Sequence, residues 1–122
     1  MKLVTRNVDP DNARDLLERV PRACISFAGD RGPRAEAIAF VLQGGRYLAG
    51  LPLSADPWPR SGQEVALLID EGIHWFDLRG ILIRGIVKAS EAPASPPKDL
   101  RWLEVVPDRT VAWDYGMLRV ER

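Results

Sequence analysis

The sequence predicts a small, mainly β protein in which about six antiparallel strands close into a barrel beside one N-terminal helix. The first observation is size, because 122 residues with 46% apolar side chains suffice for a single domain spanning residues 1–122. The second is periodicity: helical spacing of apolar residues occurs once, before Pro21, and short apolar runs separated by turn residues follow it. The third is that so many short strands leave exposed edges unless the sheet closes on itself.

The single helix is predicted between Asp9 and Val20. Asp9 suits the N-cap position and Pro10 the first helical position. An apolar stripe then recurs at helical spacing, at Ala13, Leu16, Leu17 and Val20. Pro21 ends the helix. Because a helix this short is marginal alone, we expect its stripe to pack against the sheet.

Beyond the helix, apolar runs predict a series of antiparallel strands. They cover residues 23–28, 34–43, 46–50, 64–70, 74–90, 101–106 and 110–115. The dipeptide Gly44-Gly45 predicts a tight hairpin between the second and third of these strands. The tripeptide Pro107-Asp108-Arg109 predicts another hairpin between the last two.

The long strand 74–90 is unusual in two respects. Gly80 and Gly85 interrupt it, which is typical of a bulge or a barrel corner. Both of its faces carry large apolar residues, Trp75 and Phe76 among them. A strand that is apolar on both faces is covered on both, so we expect a second subunit to cover one of them.

The segment from Leu51 to Gln63 is the longest irregular stretch. It contains three prolines, which cannot all lie in a central strand. Long ordered loops are often functional, and the side chains of Ser54, Arg60 and Ser61 can together bind an anion. The residues alone favour the alternative, a solvated surface loop.

The residue types that usually carry catalysis form no recognisable constellation. Cys24 lies in an apolar strand, which predicts a buried, inert thiol. His74 is the single histidine, and a ring or turn contact is the favoured interpretation over a catalytic base. One cysteine and one histidine cannot build a common structural zinc site. We therefore predict neither catalytic side chains nor a bound metal.

Charge and hydropathy exclude two classes of partner. The 17 basic and 17 acidic residues balance, whereas nucleic-acid-binding domains are usually basic. No apolar run approaches the roughly 20 residues of a membrane span, and the first residues carry no apolar signal region. We expect a cytoplasmic protein that binds neither nucleic acid nor membrane.

Aromatic residues gather near the C-terminus, at Trp102, Trp113 and Tyr115. A flat apolar ligand can stack on such side chains. The alternative, which the residues alone favour, is that they fill the core or a dimer interface.

The order of these segments resembles the pyridoxamine 5'-phosphate oxidase-like FMN-binding split barrels. The resemblance covers nearly the whole chain and depends on the order of its motifs, none of which is diagnostic alone. The motifs are Pro21 to Phe27, the turn Gly32-Pro33-Arg34, Gly45 to Gly50, Glu64 to Gly72, Leu78 to Gly85, Trp102 to Pro107 and Val111 to Gly116.

The resemblance implies a homodimer of six-stranded antiparallel split barrels with two flavin sites at the interface. Two neighbouring strands would cradle the isoalloxazine ring, partly through backbone groups. These strands supply Arg34, Ala37, Ile38 and Ala39, then Tyr47, Leu48, Ala49 and Gly50. A following loop would hold the phosphate through Ser54, Arg60 and Ser61, since this chain has no lysine there. Trp113 would lie near the edge of the flavin ring.

The function that follows is FMN binding and flavin-dependent redox chemistry on a small molecule, with a deazaflavin in place of FMN as a variant. The alternative is a cofactor-free barrel that serves as a small-ligand-binding or structural dimer. Whether the protein is an enzyme is left open between these two.

Overall fold

Six antiparallel strands close on one another into a barrel, as the sequence predicts. The structure is a computed structural model that describes residues 3–5, 7–55, 57–97, 99–117 and 119–121. The regular elements are β1 (Leu3–Thr5), β2 (Asn7–Val8), α1 (Arg14–Arg19), β3 (Arg22–Gly29), β4 (Gly32–Gln43), β5 (Arg46–Pro52), β6 (Glu64–Glu71), β7 (Arg79–Ala89), β8 (Leu100–Asp114) and β9 (Arg119–Glu121). Short 3₁₀ helices occupy Pro10–Ala13, Leu53–Ala55, Trp75–Asp77 and Tyr115–Met117.

The barrel follows the order β8-β5-β4-β3-β6-β7, and pairing of β7 with β8 closes it. β2 adds a further strand along β8, and β1 pairs with β9 in a separate two-stranded sheet. We call the end where β6 stops and β7 begins the helix end, because α1 lies there, and the end where β7 stops and β8 begins the loop end.

The N-terminal helix forms where its capping residues predict it. The Asp9 carboxylate accepts a hydrogen bond from the backbone N–H of Asp11 at 2.9 Å, and Pro10 opens the first 3₁₀ turn, which runs into α1. The predicted stripe is buried in the barrel core, at Ala13, Leu16, Leu17 and Val20. The helix therefore covers one end of the barrel. All helices of the described chain are too short or too polar to cross a lipid bilayer.

The core follows the alternation of the strands. Every second residue points inward, and the central positions are almost completely shielded from water. They include Ile25, Leu67, Ile69, Ile81 and Ile83, each at most 2% exposed. The intervening residues form the outer surface of the barrel.

The predicted C-terminal hairpin is wrong: residues 100–114 form one continuous strand, β8. Its first half pairs with both β5 and β7, and its second half pairs with β7 and β2. The turn-forming residues are accommodated by a bulge, because Arg84 pairs with Arg109 while Gly85 pairs with Pro107, which leaves Asp108 unopposed.

The bulge confirms the prediction of an irregularity at Gly85. A Cβ atom at this position would lie 2.1 Å from the carbonyl oxygen of Val106, so only glycine fits. The bulge also changes which residues of β8 face the core, from Leu103 and Val105 before it to Ala112 after it.

The segment before Arg79 departs from the predicted strand. Residues 75–77 form a 3₁₀ helix. The Asp77 carboxylate caps it by accepting hydrogen bonds from the backbone N–H groups of Ile73 at 3.1 Å and His74 at 2.9 Å. Trp75 and Phe76 consequently project into solvent rather than lying on the two faces of a strand.

Candidate functional site

An open pocket at the loop end brings together two of the three residues predicted to hold a phosphate. Arg60 and Ser61 line it together with Pro57, Trp58, Pro59, Ala89, Arg101 and Leu103. Ser54 lies earlier, in the exposed turn Leu53–Ala55, and does not line this pocket. The pocket therefore brings Arg60 and Ser61 together and leaves Ser54 outside.

The backbone around Arg60 is fixed while its guanidinium points into water. The backbone N–H of Arg60 donates to Gln63 Oε1 at 2.9 Å, and the N–H of Gln63 donates to the Arg60 carbonyl at 2.8 Å. The N–H of Gly62 donates to the Val87 carbonyl at 2.7 Å, which ties the loop to β7. The Arg60 side chain forms no ion pair with any residue that the structure describes, so its charge is available to a ligand.

Arg101 supplies a second cation to the same pocket. Its guanidinium carbon lies 4.5 Å from the centroid of the Trp58 ring, and the Trp58 indole N–H donates to the Pro52 carbonyl at 3.2 Å. The indole thus orients the guanidinium by a cation–π contact. Sequence reasoning did not identify Arg101, because its place in the same pocket as Arg60 depends on the pairing of β8 with β5 and β7.

Arg34 is already engaged by the protein. Its guanidinium pairs with Glu36 at 2.8 Å, donates to the Pro57 carbonyl at 3.0 Å, and lies 5.6 Å from the ring centroid of Phe27. Pro57 borders both the Arg60 pocket and a neighbouring pocket that Arg34 lines. In this geometry Arg34 positions the loop that carries Arg60.

The predicted flavin-cradling residues of β4 divide between the two faces of the sheet. Ile38 points into the core, whereas Ala37 and Ala39 lie on the outer surface. β4 pairs with β5 only from Ala39 onward, so the edge of residues 32–38 is not covered by β5. The loop containing Pro57 lies beside this edge, since Arg34 of β4 donates to the Pro57 carbonyl.

The predicted residues of β5 are less accessible. Tyr47 and Ala49 pack toward the core, and Leu48 is buried on the opposite face. A Cβ atom at Gly50 would lie 2.8 Å from the Trp102 ring, which covers this position. Contacts from β5 to a ligand on the outer face would require displacement of Trp102.

Trp113 lies at the other end of the barrel, in a second pocket. It packs on Gly80, where a Cβ atom would be 2.6 Å from the indole ring. Val111 lines the same pocket, as expected of residues two apart in a strand. From Gly80 to Ala89, which borders the Arg60 pocket, β7 advances nine residues, roughly 30 Å. One protomer therefore does not bring Trp113 and Arg60 to a common ligand.

The C-terminal aromatic residues do not form one stacking surface. Trp102 is buried at 6% exposure beside Gly50. The ring of Tyr115 meets the Trp75 ring edge-on, with 6.1 Å between centroids. Trp102 therefore has a packing role, as the alternative interpretation of these aromatic residues predicts. Trp113 differs, because it is half-buried beside an open pocket.

Cys24 and His74, the two other residues that sequence analysis considered for catalysis, lie in separate elements. Cys24 is half-buried on the outer face of β3, rather than fully buried as expected. His74 stacks on Phe76, with 5.1 Å between ring centroids. Within the described ranges, no three of the histidine, cysteine and acidic residues are grouped so that they could hold a metal ion.

Comparison with known proteins supports the fold. No protein-family model and no curated protein matches the sequence. The chain is similar to the solved structure of an FAD-binding protein from Mycobacterium smegmatis, with a TM-score of 0.70 and 16% identity over 88% of this chain and 98% of that one. An FAD-binding protein from Mesorhizobium loti gives a TM-score of 0.67 at 12% identity, over 90% and 96% of the two chains.

A third structure, from Corynebacterium glutamicum, carries the provisional name pyridoxamine 5'-phosphate oxidase. It gives a TM-score of 0.63 at 12% identity, over 90% of this chain and 96% of that one. At such identities the likeness concerns the fold. The chain has the split-barrel fold of the pyridoxamine 5'-phosphate oxidase-like proteins, which confirms the resemblance predicted from the order of its sequence motifs.

Proposed function

We propose that the protein is a cytoplasmic flavoprotein that binds FMN and uses it in redox chemistry on a small molecule. The observation that carries the proposal is the loop-end pocket, which is lined by Arg60, Ser61 and Arg101. Two guanidiniums and a hydroxyl suit a phosphate, which arginine can bind in a bidentate manner. Two of the compared structures are named FAD-binding proteins, which supports a flavin as the class of ligand.

The pocket fits the cofactor on chemical grounds. Arg60 and Arg101 would hold the phosphate, and Ser61 would donate to one of its oxygens. The uncovered edge of β4 at residues 32–38 would offer backbone groups to the ring system. Arg34 would keep this arrangement in place through its hydrogen bond to the Pro57 carbonyl.

A bound flavin supplies hydride or two-electron transfer at its ring. The protein would position the flavin ring and exclude water from it. A protein acid or base is not required for that role, which agrees with the scattered positions of Cys24 and His74. A deazaflavin has a similar ring system and phosphate, so the same pocket would accept it.

A homodimer explains how the two predicted parts of the site can meet. Gly80, which Trp113 contacts, and Ala89, which borders the Arg60 pocket, are roughly 30 Å apart along β7, farther than one FMN extends. A two-fold dimer uses the same patch on both subunits and makes every contact between two different residues twice, so Trp113 of each protomer can approach Arg60 of the other. Two flavin sites at the interface follow.

An apolar row on the outer face supports the dimer. Five residues lie in register across five neighbouring strands, and each is half-buried or exposed in the single chain. They are Ala37, Cys24, Leu68, Leu82 and Val111. A permanent interface would bury about 2,000 Å² or more. Light scattering at micromolar concentration should give the mass of two chains, and the mass of one chain would contradict this part of the proposal.

One feature favours the alternative, a cofactor-free small-ligand-binding or structural dimer. The loop 51–63 has three prolines and no lysine, so it offers a phosphate fewer cations than a lysine-containing loop. The visible spectrum of the purified protein, before and after addition of FMN, separates the two functions. A flavin band that stays with the protein through gel filtration supports the proposal, and complete loss of FMN at micromolar concentrations favours the alternative.

A further inference from the structure

The connection from β7 to β8 crosses the outer face of the barrel. We call its residues 90–97 the strap. The strap begins at Ser90, directly after β7, and the backbone N–H of Ala94 donates to Gln43 Oε1 of β4 at 3.0 Å. β8 and β5 lie between β7 and β4 in the sheet, so the strap spans both of them. It runs outside the barrel, because Leu42 packs toward the core and Gln43, the next residue of the strand, faces outward.

A small apolar cluster, separate from the barrel core, lies under the strap. Leu48 of β5 and Trp102 of β8 are 1% and 6% exposed, yet neither is part of the core inside the barrel. The Trp102 ring covers Gly50, where a Cβ atom would lie 2.8 Å from it. Pro93 of the strap is itself buried. Since the strap spans these two strands on their outer face, it shields the cluster from water.

Both ends of the strap are held in place. At the start, Arg46 Nε donates to Oε1 of the buried Glu104 at 2.8 Å, and Arg46 Nη2 donates to Ser90 Oγ at 3.3 Å. Breaking a buried ion pair is costly, so Glu104 fixes Arg46, which in turn fixes the first residue of the strap. Beyond the far end of the strap, Leu100 pairs with Pro52 in the sheet.

The middle of the strap is held weakly. Prolines at positions 93, 96 and 97 have no N–H to donate. Among residues 91–97, only Ala94 donates a backbone hydrogen bond to a residue that the structure describes. Ser95 and Asp99 adopt φ of 51° and 63°, a region that is unfavourable for residues with a Cβ atom. The middle can therefore move at low cost while the two ends stay in place.

We infer that the strap is a lid, which opens between its two fixed ends and uncovers Leu48, Gly50 and Trp102. Opening gives the Trp102 ring room to leave Gly50, and the surface then exposed is flat and apolar, so it fits an aromatic ring. A ring binds there only in molecules whose lid is open, and its apparent affinity falls in proportion to that fraction. Identifying the ring as the flavin rests on the proposed function, whereas the lid does not.

Hydrogen exchange of the purified protein measures the opening without any ligand. The Ala94 N–H should exchange much faster than that of Leu67, which is fully buried in β6 and exchanges through global unfolding. Pro93→Ala removes buried apolar surface from the strap and should speed exchange at position 94 roughly tenfold, with exchange at Leu67 unchanged. Gln43→Ala removes only the hydrogen bond of the strap and should act in the same direction.

Pro96→Ala is the matched control, because it removes the same ring from an exposed position of the strap. It should leave exchange at Ala94 nearly unchanged. Fluorotryptophan NMR follows the cluster itself, with the Trp102 signal assigned by its loss in Trp102→Phe. In Pro93→Ala this signal should shift toward its position in the unfolded protein, because the ring spends more time in water.

Riboflavin titration connects the lid to a ligand. Pro93→Ala should bind riboflavin more tightly than the wild type, by the factor by which it raises the open fraction. Riboflavin is the probe because it lacks the phosphate and does not depend on Arg60. Unchanged affinity despite faster exchange would overturn the role of the lid. Exchange of Ala94 at the rate of Leu67, in wild type and Pro93→Ala alike, would overturn the lid itself. Failure of both proteins to bind any flavin would count against the proposed function alone, because the exchange rates are measured without ligand.

Discussion

Arg79 and Asp15 form a two-point ion pair that joins the start of β7 to α1. The Arg79 Nη2 lies 2.7 Å from Asp15 Oδ1, and Nη1 lies 3.0 Å from Oδ2. Arg79 also donates to Glu71 at 3.1 Å, and Arg19 donates to both carboxylates. Two arginines and two carboxylates therefore link the helix to two strands at the helix end of the barrel.

Replacement of Arg79 should destabilise the protein more than replacement of an arginine on the outer face of α1. Arg79→Gln leaves Asp15 and Glu71 close together with one cation, and we expect a loss of about 1–2 kcal/mol in the free energy of unfolding. The value is modest because nearly half of the Asp15 side chain is exposed to water. Urea denaturation measures it.

Arg14→Gln is the matched control. Its exposed pair with Glu18, at 3.6 Å, should contribute less than about 0.5 kcal/mol. Equal losses in the two variants would show that the network adds nothing beyond surface ion pairs.

The same network predicts a pH dependence of stability. The hydrogen bond from Arg79 holds the pKa of Asp15 well below its usual range, and that from Arg19 lowers the pKa of Glu71. Between the lowered pKa values and the usual ones near about 4, the unfolded chain binds more protons than the folded chain. The stabilisation is therefore complete above about pH 5 and is lost as the pH falls toward the lowered values.

Denaturation at several pH values between about 5 and 3 measures this dependence. In Asp15→Asn the slope of unfolding free energy against pH should be shallower than in the wild type. Parallel slopes in the two proteins would assign the acid sensitivity to other carboxylates.

The bulge should tolerate no side chain at Gly85. In Gly85→Ala the new Cβ atom would lie 2.1 Å from the Val106 carbonyl oxygen, a backbone atom that can move only if the strand pairing changes. We expect a loss of about 3 kcal/mol or more, measured by urea denaturation. In Gly116→Ala the nearest atom is a side-chain oxygen of Asp114 at 3.2 Å, so that control should lose less than about 1 kcal/mol. A mild effect at Gly85 would mean that the bulge can be repacked without cost.

The parts of the fold that the sequence predicts correctly depend on local signals. Asp9, Pro10 and the apolar stripe define the helix from neighbouring residues alone. The same is true of Gly44-Gly45, both of which adopt positive φ in the turn between β4 and β5. Gly85 could be linked to a bulge because a glycine inside a strand is itself a local signal.

The parts that sequence reasoning missed depend on pairing between distant segments. Pro107 and Asp108 are turn formers, yet β7 pairs with β8 from Leu103 to Asp114 and stabilises it as one strand with a bulge. The positions of Arg101 beside Arg60, and of Arg109 opposite Arg84, follow from that register. Such neighbours are invisible until the strand pairing is known.

The loop-end pocket predicts separate effects on FMN and riboflavin. A guanidinium–phosphate pair contributes about 1.5–3 kcal/mol, so Arg60→Ala should weaken FMN binding by roughly 10- to 150-fold. Arg101→Ala should weaken it in the same direction, because its guanidinium is held beside the pocket by Trp58. Riboflavin lacks the phosphate and should bind wild type and variants alike. Fluorescence titration measures all of these affinities. Equal FMN affinity in wild type and Arg60→Ala would contradict the role of Arg60 as the phosphate contact and would favour Arg34 in that role.

The last prediction concerns Trp113, which the proposed dimer places near the flavin of the partner site. If its indole contacts the ring, bound flavin should quench its fluorescence, because an aromatic wall in contact with the ring transfers excitation to it. Trp113→Phe should then remove much of the quenching while the protein stays folded, since phenylalanine still fills the space above Gly80. Steady-state fluorescence with and without FMN measures the effect.

Trp58, Trp75 and Trp102, each replaced singly by phenylalanine, are the controls, because they differ in surroundings. Trp102 is buried, Trp75 is 65% exposed, and Trp58 lies at the loop end. The opposing interpretation makes Trp113 a packing residue only. It requires that Trp113→Ala cost about 3–5 kcal/mol of stability and that Trp113→Phe leave the quenching unchanged. Since Trp113 is half-buried and lines an open pocket, we expect the Ala variant to lose less than that range and the Phe variant to lose the quenching.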